Sequence, residues 1–359
     1  MSVLSDDVKS KWLYGSALPF AEPAWARGCP SPYYRDSHRR LRQAMRSWVE
    51  KNLTPNVQDW EKAASIPDWI YKKAAEDGLL MPLAAGPAVP TDWRGQYPMV
   101  GDVPAEEWDG FHDLIVHDEI GRTGGIGVVK DVLSGKSRIA LAITEPDAGS
   151  DVRGLKTEAV VSDDGACFII NGQKKWITGG MYAQYFLTLV KESNGDFTLV
   201  VVPRVKGVST RHMEMSGSTT AGTAFVEFDD VEVPLDMVVG ERGKGFKYIV
   251  SNFNHESLIY QLGHLSTAEG EFLLAGTTAQ IKAHSGIVLE HVVREAIQIM
   301  GGVGLTRGAG RGERVERIWR DVKAITVPGG SEEVMLDLAT RRALSVTAEL
   351  RKLGSKTKL

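Results

Sequence analysis

Residues 143–151 read Ile-Thr-Glu-Pro-Asp-Ala-Gly-Ser-Asp, and residues 176–180 read Trp-Ile-Thr-Gly-Gly. The first stretch has the hydroxyls, proline and glycine that are typical of a fixed, hydrogen-bonding turn. The second places a flat indole beside a hydroxyl and two glycines, which let backbone pass close to another group. Between them, residues 167–176 predict two strands joined by a tight turn at Asn171-Gly172.

The composition limits the class of protein. The chain has 359 residues, of which 43% are hydrophobic, and a net charge of −4. This length predicts two or three domains, and the slight negative charge gives no reason to expect a nucleic-acid partner. Two cysteines, Cys29 and Cys167, are too few for a disulfide framework and fit a reducing compartment. No apolar run reaches about eighteen residues, so we predict no membrane span. We also predict no metal site.

The two ends of the chain bear on its location. The first residues have neither the apolar run of a secretory signal nor the arginine-rich character of a transit peptide. The last three residues, Thr-Lys-Leu, differ by one residue from the peroxisomal Ser-Lys-Leu signal. We therefore expect a cytoplasmic or peroxisomal protein.

The first third of the chain has helical periodicity. Leu41, Met45 and Val49 recur at the four-residue spacing of one helix face. Residues 82–106 are rich in proline and glycine and predict a long loop.

The middle of the chain predicts strands, and its last third predicts helices. The predicted strands are short β-branched or aromatic runs that begin at Arg138, Phe186, Phe197 and Thr223. Residues 287–300 are apolar over so wide an arc that they predict an interior helix. Helical patterns, then strand patterns, then helical patterns along the chain predict an α+β fold. Its parts are a helical domain at 1–135, a β-domain at 136–238 and a C-terminal helical bundle at 239–350.

Landmarks between about residue 110 and residue 345 carry a family resemblance. They are residues 117–122, 133–136, 143–151, 176–180, 228–234, 240–246, 298–304, 320–321 and 329–333. In this order they resemble the acyl-CoA dehydrogenase family. The resemblance implies a helical domain, a β-domain and a C-terminal helical bundle, with FAD bound between the last two.

The resemblance also implies which residues contact FAD. Leu141, Ile143, Thr144, Gly149 and Ser150 correspond to positions whose backbone and hydroxyl groups meet the isoalloxazine and the pyrophosphate. Trp176 and Thr178 correspond to an indole that covers one flavin face and a hydroxyl near the hydride-accepting nitrogen. Gln298, Gly301 and Gly302 correspond to contacts with the ADP half, commonly made to a second subunit's FAD, and Ser331 is a further FAD-binding candidate.

The catalytic base departs from the common family pattern. The family reaction removes the α-proton of an acyl-CoA thioester with a carboxylate while the β-carbon hydride passes to flavin, and an apolar pocket that raises the pKa suits such a base. Many members carry the base in a Glu-Gly-Thr/Ser step, where this chain has Gly329-Gly330-Ser331. A second family arrangement uses a Glu-Arg pair on the first long C-terminal helix. Glu256 stands there and is our candidate base, with a surface helical glutamate as the alternative, because Ser257 replaces the arginine.

The C-terminal domain is shorter than the family pattern. Only 44 residues separate Glu256 from Gly301, too few for the helices that members place there, and the Arg-x-x-Phe-Gly element that reaches FAD across the dimer is missing. A shorter gap falls near residues 124–127. Such internal deletions expose apolar surface and remove ligand contacts.

Three functions remain open at this point. The first is an FAD-dependent oxidoreductase that dehydrogenates acyl-CoA and passes electrons to an electron-transfer flavoprotein or to oxygen. The second is a flavin-dependent monooxygenase on the same fold, and the third is a non-catalytic family member. The resemblance implies a homodimer or homotetramer.

Overall fold

The computed structural model describes residues 22–80, 82, 98–121, 138–256, 268–308 and 310–356. For residues 251–256, 268–274 and 352–356 the structure describes the backbone alone. Helices come first along the chain, then a seven-stranded sheet, then helices again. The predicted α+β fold is therefore confirmed. Residues 83–97 of the predicted loop lie outside the described residues.

The N-terminal helices pack around a shared apolar core. They are α1 (Asp36–Asn52), α2 (Val57–Ala63), α3 (Asp68–Glu76) and α4 (Gly110–Gly121). Leu41, Met45 and Val49 lie on one side of α1 and are buried against the same core as Ile115 and Val116 of α4. The helical periodicity read from this segment is thus confirmed.

The sheet carries the strands predicted for the middle of the chain. Its strands are β1 (Ile139–Ala142), β2 (Glu158–Val161), β3 (Cys167–Ile177), β4 (Tyr185–Glu192), β5 (Phe197–Pro203), β6 (Val208–His212) and β7 (Ala224–Pro234). The strand order is β1-β4-β2-β3-β7-β6, and β5 pairs with β4 off this path. β4 runs parallel to β1 and β2, and the other pairs are antiparallel.

The predicted turn at Asn171-Gly172 is wrong, because both residues lie inside β3. β3 pairs with β7 on both sides of Gly172, so the chain does not reverse there. Gly172 has φ +149°, and a Cβ added to it would lie 2.6 Å from the Cα of Thr157. Glycine stands here because two backbones approach closely.

The C-terminal region of the described chain consists of α5 (Gly245–Glu256), α6 (Ala268–Met300), α7 (Glu313–Thr326) and α8 (Glu332–Lys356). α6 packs against α7 and α8. The prediction of an interior helix at 287–300 is wrong for the single chain. Val293 is buried, but Val292 is 55% exposed and Ile299 is 86% exposed. In the described part of the chain, no helix is long and apolar enough to span a membrane.

The three regions meet beside Glu61 of α2. Its carboxylate pairs with the guanidinium groups of Arg317 and Arg320 on α7. On the same helix, Asp321 accepts a 2.7 Å hydrogen bond from the N–H of Ser218, which lies in the segment before β7. The N-terminal helices, the sheet and α7 are therefore joined by charged groups at one junction.

Candidate functional site

The turn after β1 carries the first group of predicted site residues. Backbone bonds in both directions between Glu145 and Ala148 close the turn, at 3.1 and 3.3 Å. Leu141 and Thr144 are half-buried and Ile143 is buried, whereas Gly149 and Ser150 are exposed. A Cβ added to Gly149 would have no neighbour within 4 Å. The turn therefore presents an accessible backbone at Gly149 and an accessible hydroxyl at Ser150.

A β-bulge turns Trp176 outward. β3 advances three residues from Lys174 to Ile177 while β7 advances two, from Val226 to Ala224, so β3 contains one extra residue. Trp176 has φ +59° and lies in this irregular step. Its side chain is 43% exposed, whereas Ile177 is buried. The bulge thus directs a large indole away from the core.

Two of the predicted segments lie side by side. The N–H of Lys175 donates a 2.8 Å hydrogen bond to the carbonyl of Thr144. The Nζ of Lys175 lies 4.5 Å from the centroid of the Trp176 ring, which is a cation–π distance. Thr178 follows directly after β3 and is half-buried. The structure therefore brings the turn at 143–151 next to the indole and the hydroxyl of the second segment.

A buried ion pair lies beneath this turn, and the sequence patterns did not point to it. The ammonium of Lys174 lies 2.8 Å from a carboxylate oxygen of Glu145, and both side chains are almost fully buried. Glu145 also accepts hydrogen bonds from the N–H groups of Lys156 and Thr157, at 2.6 and 3.0 Å. Residues two apart on a strand face the same side, and Lys174 lies on the buried side of β3 with Phe168 and Ile170. The alternation of these residues in the sequence was the signal that could have predicted an inward Lys174.

The pair changes the pKa of both groups. Burial lowers the pKa of Lys174 to about 8, although the negative charge of Glu145 and the hydrogen bond to it raise the value. Burial alone would raise the pKa of Glu145, but the charge of Lys174 and the hydrogen bonds from Lys174, Thr157 and Lys156 lower it overall.

The remaining predicted FAD residues lie among the C-terminal helices. Gln298 is exposed near the end of α6, and Gly301 and Gly302 begin the short 3-10 helix that follows. A Cβ added to either glycine would have no neighbour within 4 Å, and Gly301 has φ +57°. Ser331 directly precedes α8, and its carbonyl accepts the N–H of Met335 at 2.9 Å. No hydrogen bond among the described residues joins this group to the turn at 143–151.

The candidate base lies at the C-terminal end of α5. Glu256 is the last residue of α5, and its side chain lies outside the described residues. At the other family position, Gly329 has φ +71°, a conformation that favours glycine. The turn around it is held by Lys282, whose Nζ donates to the carbonyls of Thr326, at 2.7 Å, and of Gly330.

A second cluster of ionisable groups lies in the N-terminal core. His38 Nε2 and His112 Nδ1 each lie 2.9 Å from the same oxygen of Asp109, and all three residues are buried. His38 Nδ1 accepts the N–H of Arg35, so the neutral ring carries its proton on Nε2 and donates it to Asp109. Ligation of a metal ion through Nε2 would move the proton to Nδ1, where it would face the N–H of Arg35, and we therefore assign the cluster to hydrogen bonding in the core.

Comparison with known proteins identifies the family. Models of the acyl-CoA dehydrogenase N-terminal, middle and C-terminal domains match residues 35–141, 140–231 and 254–344. The chain is 34% identical to acyl-CoA dehydrogenase apdG of Emericella nidulans, over 94% of this chain and 98% of that protein. Fold and relatives define a flavoprotein oxidoreductase. The chain belongs to the acyl-CoA dehydrogenase family, and the resemblance read from the sequence is confirmed.

Solved structures share the fold. A probable acyl-CoA dehydrogenase from Mycobacterium abscessus is 25% identical with a TM-score of 0.71, covering 85% of this chain and 98% of that one. An acyl-CoA dehydrogenase complexed with FAD from Bacillus anthracis is 19% identical with a TM-score of 0.66, covering 92% and 69% of the two chains. The alignment with apdG extends over 433 residues, whereas this chain has 359, so the relative contains segments that have no counterpart here.

Proposed function

We propose that the protein is an FAD-dependent acyl-CoA dehydrogenase that introduces an α,β double bond into an acyl-CoA thioester. The observation that carries the proposal is the bulge at Trp176, which presents an exposed indole beside the turn at 143–151. The indole is 43% exposed, and a flat ring such as isoalloxazine is a suitable cover for its open face. Membership of the family supports the same assignment.

The residues fit FAD at both ends of the cofactor. A phosphate needs accessible N–H and hydroxyl groups, and Gly149 and Ser150 offer both on an open surface. Gly301 and Gly302 likewise leave room for a close approach to backbone. We propose that Leu141, Ile143, Thr144, Gly149, Ser150, Trp176, Thr178, Gln298, Gly301, Gly302 and Ser331 hold the cofactor.

The roles in the reaction follow from the chemistry of the groups. FAD, when bound, supplies a hydride acceptor for the β-carbon of the substrate. Trp176 excludes water from one side of the acceptor, and the Thr178 hydroxyl provides a hydrogen-bond donor near it. Glu256 is the proposed base that removes the α-proton. An electron-transfer flavoprotein or oxygen then receives the electrons.

One observation favours a second candidate function. Gly329 brings no carboxylate to the common base position, and its positive φ suits glycine there. A monooxygenase on this fold does not need that base, because its chemistry starts from reduced flavin and oxygen. A non-catalytic family member is the third outcome of the test below.

Assembly and location also stay proposals. We propose a homodimer or homotetramer, because the exposed apolar side chains of α6 need a cover and Gln298 belongs to the group assigned to a neighbouring subunit's FAD. The domain limits 1–135, 136–238 and 239–350, and a cytoplasmic or peroxisomal location, are predictions from the sequence. The terminal Thr-Lys-Leu lies outside the described residues.

The visible spectrum of the purified protein tests the proposal. Bound oxidised flavin absorbs near roughly 450 nm, and anaerobic acyl-CoA should bleach this band by reduction. Bleaching supports the dehydrogenase. Flavin that acyl-CoA does not reduce, but that after photoreduction reacts with oxygen and converts an organic substrate into an oxygenated product, supports the monooxygenase. Absence of flavin, even after incubation with excess FAD, supports the non-catalytic protein.

A further inference from the structure

Lys174 connects three separate segments beneath the proposed flavin surface. Its Nζ lies 2.8 Å from Glu145 Oε1, 3.2 Å from the carbonyl of Ile143 and 2.8 Å from the carbonyl of Leu189 on β4. An ammonium group has three donors, and here each has an acceptor. The side chain has no exposed surface, so water cannot replace any of them.

The same strand also fixes the next residue of the turn. The N–H of Lys175 bonds the carbonyl of Thr144, while Lys174 bonds Ile143 and Glu145. Three consecutive residues of the turn are thus held by two consecutive residues of β3. Trp176 comes next on β3, so the turn and the indole share one anchor.

We propose that Lys174 is a positioning residue for flavin binding, which acts by holding the turn at 143–151 in register with Trp176. The inference rests on the proposed function, since it concerns the site for FAD. Lys174 would not touch the cofactor. Its charge acts through Ile143 and Glu145, because an uncharged side chain of the same length leaves the buried carboxylate without its counter-charge and removes a donor from the carbonyls of Ile143 and Leu189.

The charge environment of Lys174 is simple. Glu145 is the ionisable side chain that contacts it among the described residues, and the contacts from β1 and β4 are carbonyl oxygens. Val226 of β7 is its neighbour in the sheet. Because burial brings the pKa of Lys174 down to about 8, its charge is lost in mildly alkaline solution.

The test compares Lys174→Met and Glu145→Gln with a matched control, Glu192→Gln. Glu192 is also a buried carboxylate of the β-domain and pairs with Arg242, but it holds no residue of the turn. Purified full-length proteins are titrated with FAD, and the dissociation constant is read from flavin fluorescence. We expect Lys174→Met and Glu145→Gln to weaken FAD binding at least tenfold and the control to stay within twofold.

A pH series separates positioning from general stability. Wild-type protein should release FAD as the pH rises through about 8, and Glu145→Gln should move this midpoint to lower pH, because loss of the carboxylate favours the neutral amine. If Lys174→Met does not fold, Glu145→Gln carries the test, since it preserves size and one acceptor oxygen. FAD affinity within twofold of wild type in Glu145→Gln, with an unmoved midpoint, overturns the inference. A wild-type protein that binds no FAD instead overturns the proposed function.

Discussion

A carboxylate oxygen of Asp321 accepts a 2.7 Å hydrogen bond from the N–H of Ser218, and this contact joins α7 to the sheet region. Asp321 is buried, and burial raises its pKa from 3.8 to about 6, although the bond from Ser218 lowers it in part. The junction therefore contains a carboxyl group that titrates in weakly acidic solution.

Asp321→Asn should remove a pH-dependent part of the stability. A carboxyl group whose pKa is raised by folding contributes stability below its unfolded pKa and loses it as the pH rises through the folded pKa. Relative to the variant, the free energy of unfolding of wild type should fall by about 3 kcal/mol in total as the pH rises from well below 3.8 to well above about 6. Urea unfolding of both proteins over this range measures the difference. Parallel pH profiles would contradict the assignment.

Trp176→Ala should lower flavin content and shift the visible flavin spectrum, because the indole is proposed to lie against the isoalloxazine. The matched control is Trp69→Ala, which removes another partly exposed indole from α3 in the N-terminal helical region. The ratio of flavin to protein absorbance reports on binding. Unchanged flavin content and spectrum in Trp176→Ala would place the indole elsewhere.

Glu256→Gln should reduce the rate of acyl-CoA dehydrogenation by about 10²–10⁴, the usual loss when a general base is removed. FAD content should stay normal, because the residue is assigned to substrate chemistry. Glu241→Gln, an exposed carboxylate shortly before α5, is the control. Near-normal turnover of Glu256→Gln would exclude Glu256 as the base and favour the oxygen-dependent reaction.

Asp109→Asn should destabilise the protein by about 1–3 kcal/mol, because the buried imidazole of His38 loses a charged acceptor. Burial lowers the pKa of His112 below 6.5, so its contribution to stability is present above pH 6.5 and is lost as the pH falls through the folded pKa. Thermal unfolding at several pH values tests both statements. Asp59→Asn, an exposed change on α2, should have little effect.

Val292→Arg should dissociate the proposed oligomer and lower FAD retention with it. Val292 is 55% exposed on the apolar side of α6, and a charge there would be buried at any interface that covers this side. Gln280→Arg, an exposed polar position earlier on α6, is the control. Sedimentation velocity measures the assembly. A wild-type monomer that holds FAD tightly would contradict the shared-site arrangement.

Local patterns predicted the fold well. The periodicity of Leu41, Met45 and Val49 depends on one helix face. The strands predicted from Phe186 and Phe197, observed as β4 and β5, depend on short runs of β-branched residues. Both signals are contained within a few neighbouring residues. The family landmarks added the order of the domains, which local patterns do not determine.

The sequence predicted less of the site, because its geometry depends on pairing between distant segments. Trp176 points outward only because β3 has one residue more than β7 at that step. Lysine is typical of exposed positions, and Lys174 is buried because acceptors from two other segments meet at its ammonium group. The exposure of Val292 likewise depends on which side of α6 its neighbours cover.

The close approach at Gly172 also limits how this sheet can change. Any side chain there would have to adopt φ +149° with its first carbon 2.6 Å from Thr157, whereas Gln173 beside it is exposed and bonds Glu227 at the surface. In a library that randomises both codons and selects for folded protein, residue 173 should therefore accept many amino acids while residue 172 returns only glycine.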